Sequence, residues 1–441
     1  MNENITPLHN VIHNSSTQSN GIIISRLILI VVFFSMFSRL FSSIGVPAAV
    51  NFLHFIFIAL VFFLVLTKLK TSVSVGLVVG VFLLLAAVLI SALVNEAGLI
   101  NIILDFLLIA EPFMLLIAMT STRWRQSNVE GFRFWLIVII VVHVLFAYYQ
   151  RIVFGYTDDD VEGLFINMGA GSHLAGAVAL TAAAYILFSF QTRPIWLRVL
   201  SAILCVIVVI MSDAKQVIAV FLVSIIIMLF FKISNFKKIL QYLLFSTVFI
   251  AVIIIAANTI FPGLTVWANI DKLLEGIGQK LLVFPVVISY YDSGLNWIFG
   301  LGPGHTVGRL GWLTSDYSNY LEQLGITTLP VTDAVWNVQQ GNYISNSTTG
   351  SSMFSLFFSW AGVWGDLGVF GLSVYLLLWL GIWRKICTDD LSKYFLLTIL
   401  VFGGVFSWME EPEYMIFMMV LIGLRWQENE ALKYLYINKV R

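Results

Sequence analysis

The chain has 441 residues, of which 59% are hydrophobic and 11% charged, and its 24 basic and 24 acidic residues cancel to a formal net charge of zero. Soluble domains carry about 25% charged residues, so this composition excludes a water-soluble globular protein, and it offers no basic surface for nucleic acid. The expected fold class is all-α, a polytopic membrane helical bundle, because helices satisfy their own backbone groups in lipid whereas open strands do not.

The first 21 residues are polar, hold no Lys or Arg and read as a disordered cytoplasmic tail. No cleaved leader is expected, because Ile22–Phe41 is long enough to remain as an anchor. Apolar spans follow at 22–41, 47–67, 74–94, 98–119, 134–155, 174–190, 195–212, 216–232 and 238–260. Three more lie at 364–383, 394–408 and 413–425, the last two short. Most approach the ~20 residues that cross ~30 Å of hydrocarbon, which gives about twelve transmembrane helices: nine in 22–260 and three in 351–426, followed by a cytoplasmic tail at 427–441. Residues 261–350 form a large loop between helices 9 and 10, rich in Gly and Trp. Within it Ile270, Leu273, Leu274, Ile277 and Leu281 recur at helical spacing and predict an amphipathic helix roofing the bundle.

Basic residues fix the expected orientation. With the N-terminus inside, seventeen of the 24 Lys and Arg fall on the inner face, and Arg39, Arg151, Lys215, Lys272, Lys280 and Arg309 fall outside. The reading is N-in and C-in, with a periplasmic loop. Cys205 and Cys387 fall in a span and on the inner side, so no disulfide is expected.

Several polar residues stand out in this apolar setting. Asp105 and Glu111 share the fourth span and point about 120° apart; Arg26 in the first span is the expected partner of one of them, and a functional role is the other reading. His54 and His173 read as satisfied polar residues or proton shuttles, and His143 as bonded to a neighbouring carbonyl. Arg151 ends a span after Tyr148-Tyr149-Gln150 and adds a cation to the outer face. Lys215, in the turn Ser212-Asp213-Ala214-Lys215, either pairs with Asp213 in solvent or offers a fixed cation at the membrane surface. Lys280 either snorkels from its helix or does the same. Arg309 and His305 close the segment Gly300-Leu301-Gly302-Pro303-Gly304-His305-Thr306-Val307-Gly308-Arg309, a plain loop or a turn that aims N–H groups at an anion. Glu410, Glu411 and Glu413 are expected to be solvated at an outer turn; Asp158, Asp159 and Asp160 either are solvated too or offer oxygen ligands to a divalent cation, solvation being the commoner fate of such a run. No metal-ligand constellation is apparent, and none is called for.

The layout resembles the O-antigen polymerase and O-antigen ligase superfamily of bacterial envelope glycosyltransferases. Ser212-Asp213-Ala214-Lys215 is similar to the family's Ser-x-x-Arg turn. Lys280 followed by Trp297-Ile298-Phe299-Gly300-Leu301-Gly302-Pro303-Gly304 matches its order of a basic residue, an apolar stretch and a Gly-x-Gly turn. The glycines of Gly362–Leu372 look like its helix entry, while Asn346–Ser352 lacks the His that many ligases have, so a polymerase is the better match.

The resemblance implies transfer of a growing glycan from a polyprenyl pyrophosphate donor to a hydroxyl of a lipid-linked acceptor, at a bacterial inner (cytoplasmic) membrane. Such chemistry needs cations on the pyrophosphate, for which Lys215, Lys280, Arg309 and Arg151 are candidates. His305 or Asp366 would take the hydroxyl proton, and Trp297, Trp312 and Trp336 would face the sugars. No cofactor or metal is implied, since the lipid already activates the donor. Implied partners are the polyprenyl-linked oligosaccharide donor and acceptor, membrane lipid, and flippase and chain-length regulator proteins. The rival readings are a lipid-linked oligosaccharide flippase or transporter, and a ligase.

Overall fold

The computed structural model describes residues 8–69, 71–231, 270–345 and 352–440, with single positions between 240 and 251. Most of the expected span 238–260, the loop before residue 270 and the stretch 346–351 lie outside the described residues.

Every element among the described residues is helical. The first eight long helices are α1 (Leu8–Ser43), α2 (Leu53–Leu66), α3 (Ser72–Val94), α4 (Leu99–Thr120), α5 (Gln126–Ile152), α6 (Gly171–Ser189), α7 (Ile195–Met211) and α8 (Lys215–Phe230). Shorter ones follow: α9 (Ile270–Lys280), α10 (Val283–Ile288), α11 (Gly294–Phe299), α12 (Arg309–Asp316), α13 (Ser318–Leu321) and α14 (Val331–Ser345). The chain ends with α15 (Ser359–Lys385), α16 (Asp390–Phe402) and α17 (Pro412–Val440).

Seven helical stretches among the described residues are long and apolar enough to cross a bilayer: Gly21–Ser43, Ala48–Leu66, Ser72–Val94, Leu99–Thr120, Gln126–Ile152, Gly171–Ser189 and Ser352–Lys385. α7 and α8 are apolar but shorter. The helices α2, α3 and α5 expose Ile56, Phe63, Phe82, Leu93, Phe134 and Leu145, an apolar exposure suited to lipid. The protein is thus a helical membrane bundle.

Two ends differ from the sequence reading. α1 already begins at Leu8, inside the segment expected to be disordered; once the apolar stretch has nucleated a helix, extending it backward costs little per residue. α17 runs on through the expected tail, anchored by Gln427. That side chain accepts from Trp124 N at 2.9 Å and donates to Thr122 O at 2.7 Å and Met119 O at 2.5 Å. It thereby satisfies carbonyls at the end of α4 that have no intrahelical partner.

α4 and α17 form the centre. From Leu108 to Thr120 and from Tyr414 to Leu424 they are buried on every side, as expected of helices apolar all round. The remaining helices surround this pair. Segment 270–345 covers one end of the bundle and has a small core of its own, with Val283, Val287, Val307, Val331 and Val335 against Leu356, Phe357 and Phe358. The predicted amphipathic helix is α9, whose Gly276 packs on the ring of Phe354.

The cover is stitched to the α3–α4 hairpin by amides. Asn95 Nδ2 donates to Gly300 O at 3.1 Å, and Asn101 Nδ2 donates to Pro303 O at 3.0 Å and Thr327 O at 2.8 Å. These bonds bring the Gly-rich segment 300–308 onto the head of α15, beside the turn joining α16 to α17.

Candidate active site at the covered end of the bundle

α15 is broken at Gly368, whose φ is +63°. The break lets the extended chain at Gly300–Gly302 dock on it, with Leu301 N donating to Gly365 O at 2.8 Å and Gly302 N to Asp366 O at 3.1 Å. Beyond this contact the backbone turns its N–H groups toward a carboxyl, and that carboxyl is the protein's own. Asp366 accepts from Thr306 N at 2.8 Å, Thr306 Oγ1 at 2.6 Å and Gly304 N at 3.2 Å.

His305 is tied as fully. Its Nδ1 donates to Leu301 O at 2.8 Å, which leaves Nε2 as the acceptor for the Thr327 hydroxyl at 2.8 Å. Burial lowers its pKa, opposed by the bond to Leu301. Both residues read as bases from the sequence therefore spend their polar atoms inside the loop, and neither turns a free lone pair to a ligand.

The four expected pyrophosphate cations do not converge. Arg151 donates to Tyr156 O at 2.8 Å on the exposed end of α5. Lys215 pairs with Asp213 at 2.6 Å in the turn before α8. Lys280 points inward, where its ammonium donates to Ser355 O at 2.7 Å, Val405 O at 2.8 Å and Met353 O at 3.2 Å, and lies 4.6 Å from the Phe358 ring centre. Burial pushes it down to about 7.

Among the described residues, Arg309 sits at a polar cavity. Its guanidinium meets Glu411 at 2.7 Å and its backbone N–H meets Glu410 Oε2 at 2.5 Å, while Arg39 faces Glu413 at 3.4 Å. Arg309, Arg39, Glu411 and Glu413, with His54, Asn51, Phe52, Leu313 and Tyr317, line a cleft of about 20 Å³, enough for a water.

Glu410, Glu411 and Glu413, expected to be solvated, are buried at 1–3% exposure. The 410–413 turn is capped by Arg309 and folded under the loop instead of facing water. The Glu411 and Glu413 carboxyls bond each other, which requires a shared proton. Burial raises Glu411 well above the carboxylate range, with Arg309 pulling the other way and the Glu413 charge adding to the rise. Burial likewise pushes Glu410 up to about 8, against the Arg309 N–H, and Glu410 Oε1 has no hydrogen-bond partner. Gly308 lies between Glu410 and Asp366, 3.2 and 2.8 Å from their oxygens at its Cβ position.

The fourth span supplies two further acids in different directions. Glu111 bonds His54 Nδ1 at 2.6 Å, so the expected partner Arg26 is not used and is exposed. Asp105, on another face of α4, is within electrostatic reach of Asp366 and Glu410, and its Oδ2 has no hydrogen-bond partner. His143 does bond a carbonyl, Ala175 O at 3.2 Å.

The three tryptophans also divide. Trp312, on α12 with Arg309, packs edge-on to Trp336 at 5.6 Å and Phe357 at 5.0 Å. Trp297 stands apart on α11 against Tyr291 at 5.2 Å, half exposed. No protein-family model matches the chain, and no curated protein does. The family resemblance therefore rests on layout and motifs alone.

Sequence reasoning passed over Arg39 and underrated the acids at 410–413. A signal was present: a lone arginine at the outer end of the first span, and three acids in the turn between two short spans. Only packing brings them together, across 374 residues for Arg39 and Glu413.

Proposed function

We propose that the protein is a polysaccharide repeat-unit polymerase, transferring glycan from a polyprenyl pyrophosphate donor to a hydroxyl of a lipid-linked acceptor, at the outer leaflet of a bacterial inner membrane. The observation that carries the proposal is Arg309, a cation held at the mouth of a polar cleft under the loop, next to carboxyls that keep protons near neutral pH. Those protons matter electrostatically: a cleft with every acid ionised would repel a pyrophosphate, whereas a neutral Glu410 and a shared Glu411–Glu413 proton leave Arg309 and Arg39 in command of the field.

In this reading Arg309 and Arg39 exchange their carboxylate partners for the departing pyrophosphate and stabilise its charge. The Glu411–Glu413 pair, freed of its arginines, receives the acceptor hydroxyl proton. Phe52 and Tyr317 flank the cleft, and Trp312 of α12 with Trp336 of α14 offers an aromatic surface for sugar faces. The roles first given to His305 and Asp366 become positioning roles.

A transporter of lipid-linked oligosaccharide is the second reading, favoured by acids inside α4 that no substrate contact requires. Analysis of the carrier lipid in a deletion strain separates the two. Loss of a polymerase leaves single repeat units facing outward, loss of a flippase leaves them facing the cytoplasm, and long chains retained on the carrier would indicate a ligase. Orientation is tested by single cysteines: one at Asp159 labels with an impermeant thiol reagent in spheroplasts and one at Gln126 does not, or the site faces the cytoplasm and the proposal fails.

A further inference from the structure

The end of the bundle away from the loop carries a furrow that the proposed transfer does not use. It lies between α5 and α7 over the end of α6, with a volume of about 680 Å³. Its floor is apolar, with Ile137, Val144 and Leu204, and its mouth carries Arg133, Arg193 and Arg198. From Glu130 at the mouth to Val144 the furrow follows α5 for about 21 Å at 1.5 Å per residue, longer than a headgroup and comparable with half of a ~30 Å hydrocarbon layer.

The charges at the mouth are not all balanced among the described residues. Arg133 is taken by Glu428, and Glu130 accepts from the Gln126 amide at 2.8 Å. Arg193 and Arg198 enter no ion pair among the described residues. Arg198 donates from Nη1 to Leu187 O at 2.9 Å, but its Nε is buried without a hydrogen-bond partner. A buried charged donor left without an acceptor is costly, and an apolar trough ending at two guanidiniums with no carboxylate partner among the described residues has the complementary form of a lipid with an anionic phosphate.

We propose that this furrow holds one anionic phospholipid of the bilayer, with its phosphate on Arg193 and Arg198 and an acyl chain laid along α5 toward Val144. The proposal is independent of the glycan reading, because it concerns the opposite end of the bundle. It also fits the basic face, which attracts anionic lipid whatever the enzyme does at its other end.

The test is native mass spectrometry of the full-length protein in detergent, titrated with phosphatidylglycerol, phosphatidylethanolamine or glycerol 3-phosphate. One phosphatidylglycerol should bind more tightly than phosphatidylethanolamine, and glycerol 3-phosphate should not bind. Arg193→Gln with Arg198→Gln should weaken phosphatidylglycerol about 30-fold, at roughly tenfold or less per surface charge. Because Arg198 also braces α6, Arg193→Gln alone is the folding-neutral variant and should give part of that loss. Leu204→Trp, which fills the trough, should weaken both lipids. Equal binding of the two lipids, unchanged binding by the variants, or binding of glycerol 3-phosphate alone would overturn the proposal. So would a dimer that Leu204→Trp dissociates, since the furrow would then belong to a second copy.

Discussion

Gly300 and Gly368 meet backbone against backbone: a Cβ on Gly368 would lie 2.5 Å from the amide nitrogen of Gly300 and 2.4 Å from Ile298 O. Both have positive φ, +73° and +63°, where a side chain is strained whatever the space. This crossing point sets the segment 300–308, and hence Arg309, against the bundle. Gly368→Ala should cost about 1–3 kcal/mol from backbone strain alone, read as a lower Tm in detergent, with lost activity following the lost fold. An unchanged Tm would mean that the loop is held elsewhere.

Asp366 should behave as a positioning residue. Asp366→Ala removes the acceptor of three buried donors, Gly304 N, Thr306 N and Thr306 Oγ1, at about 1–3 kcal/mol for each donor left unpaired. Thr306→Val removes one of them. A double-mutant cycle on Tm should show strong coupling between the two sites. If Asp366→Ala instead kept its Tm and lost only transfer activity, Asp366 would be returned to the chemistry.

Two buried groups outside the spans give stability opposite pH dependences. Glu410 is raised from an ordinary 4.5 to about 8, so the folded state binds more protons than the unfolded state between these values, and stability falls as pH rises through that window. Lys280 is lowered from 10.5 to about 7; here the unfolded state binds more protons, and stability rises from pH 7 toward 10.5. Glu410→Gln should flatten the decline between pH 5 and 8. Lys280→Met should remove the rise above pH 7 while lowering Tm throughout, because three carbonyls lose their donor. Thermal unfolding across pH 5–10 measures both, and parallel profiles for wild type and variants would refute the assignment.

The cations should separate by function. Arg309→Ala, at wild-type level, should lose about 10²-fold or more in polymer formation, the scale of removing one transition-state contact. Arg309→Lys should recover part of it, since charge is kept but the guanidinium fork is lost. Lys215→Ala breaks a partly exposed turn pair with Asp213, worth on the order of 1 kcal/mol, and should leave polymerisation within a fewfold of normal. The reverse ranking, with Lys215→Ala inactive and Arg309→Ala active, would move the site to the turn before α8.

Hydrophobic runs by themselves determined that the chain is a helical membrane bundle, because in lipid the backbone must close its own hydrogen bonds and length alone then marks a helix. The amphipathic helix at 270–280 was legible for the same reason, from periodicity. Which polar residues matter was not legible. Each sat in a local context that allowed two fates: Glu410 could face water or Arg309, Glu111 could face Arg26 or His54, and Lys280 could reach the surface or three carbonyls. Local sequence scores a charge as exposed by default, since exposure is cheaper for an unpaired group. Partners from distant segments reverse that preference: Arg309 for Glu410, His54 for Glu111, and the carbonyls of Met353, Ser355 and Val405 for Lys280. The tertiary structure therefore decided the site, by choosing which charges would find a partner when water was removed.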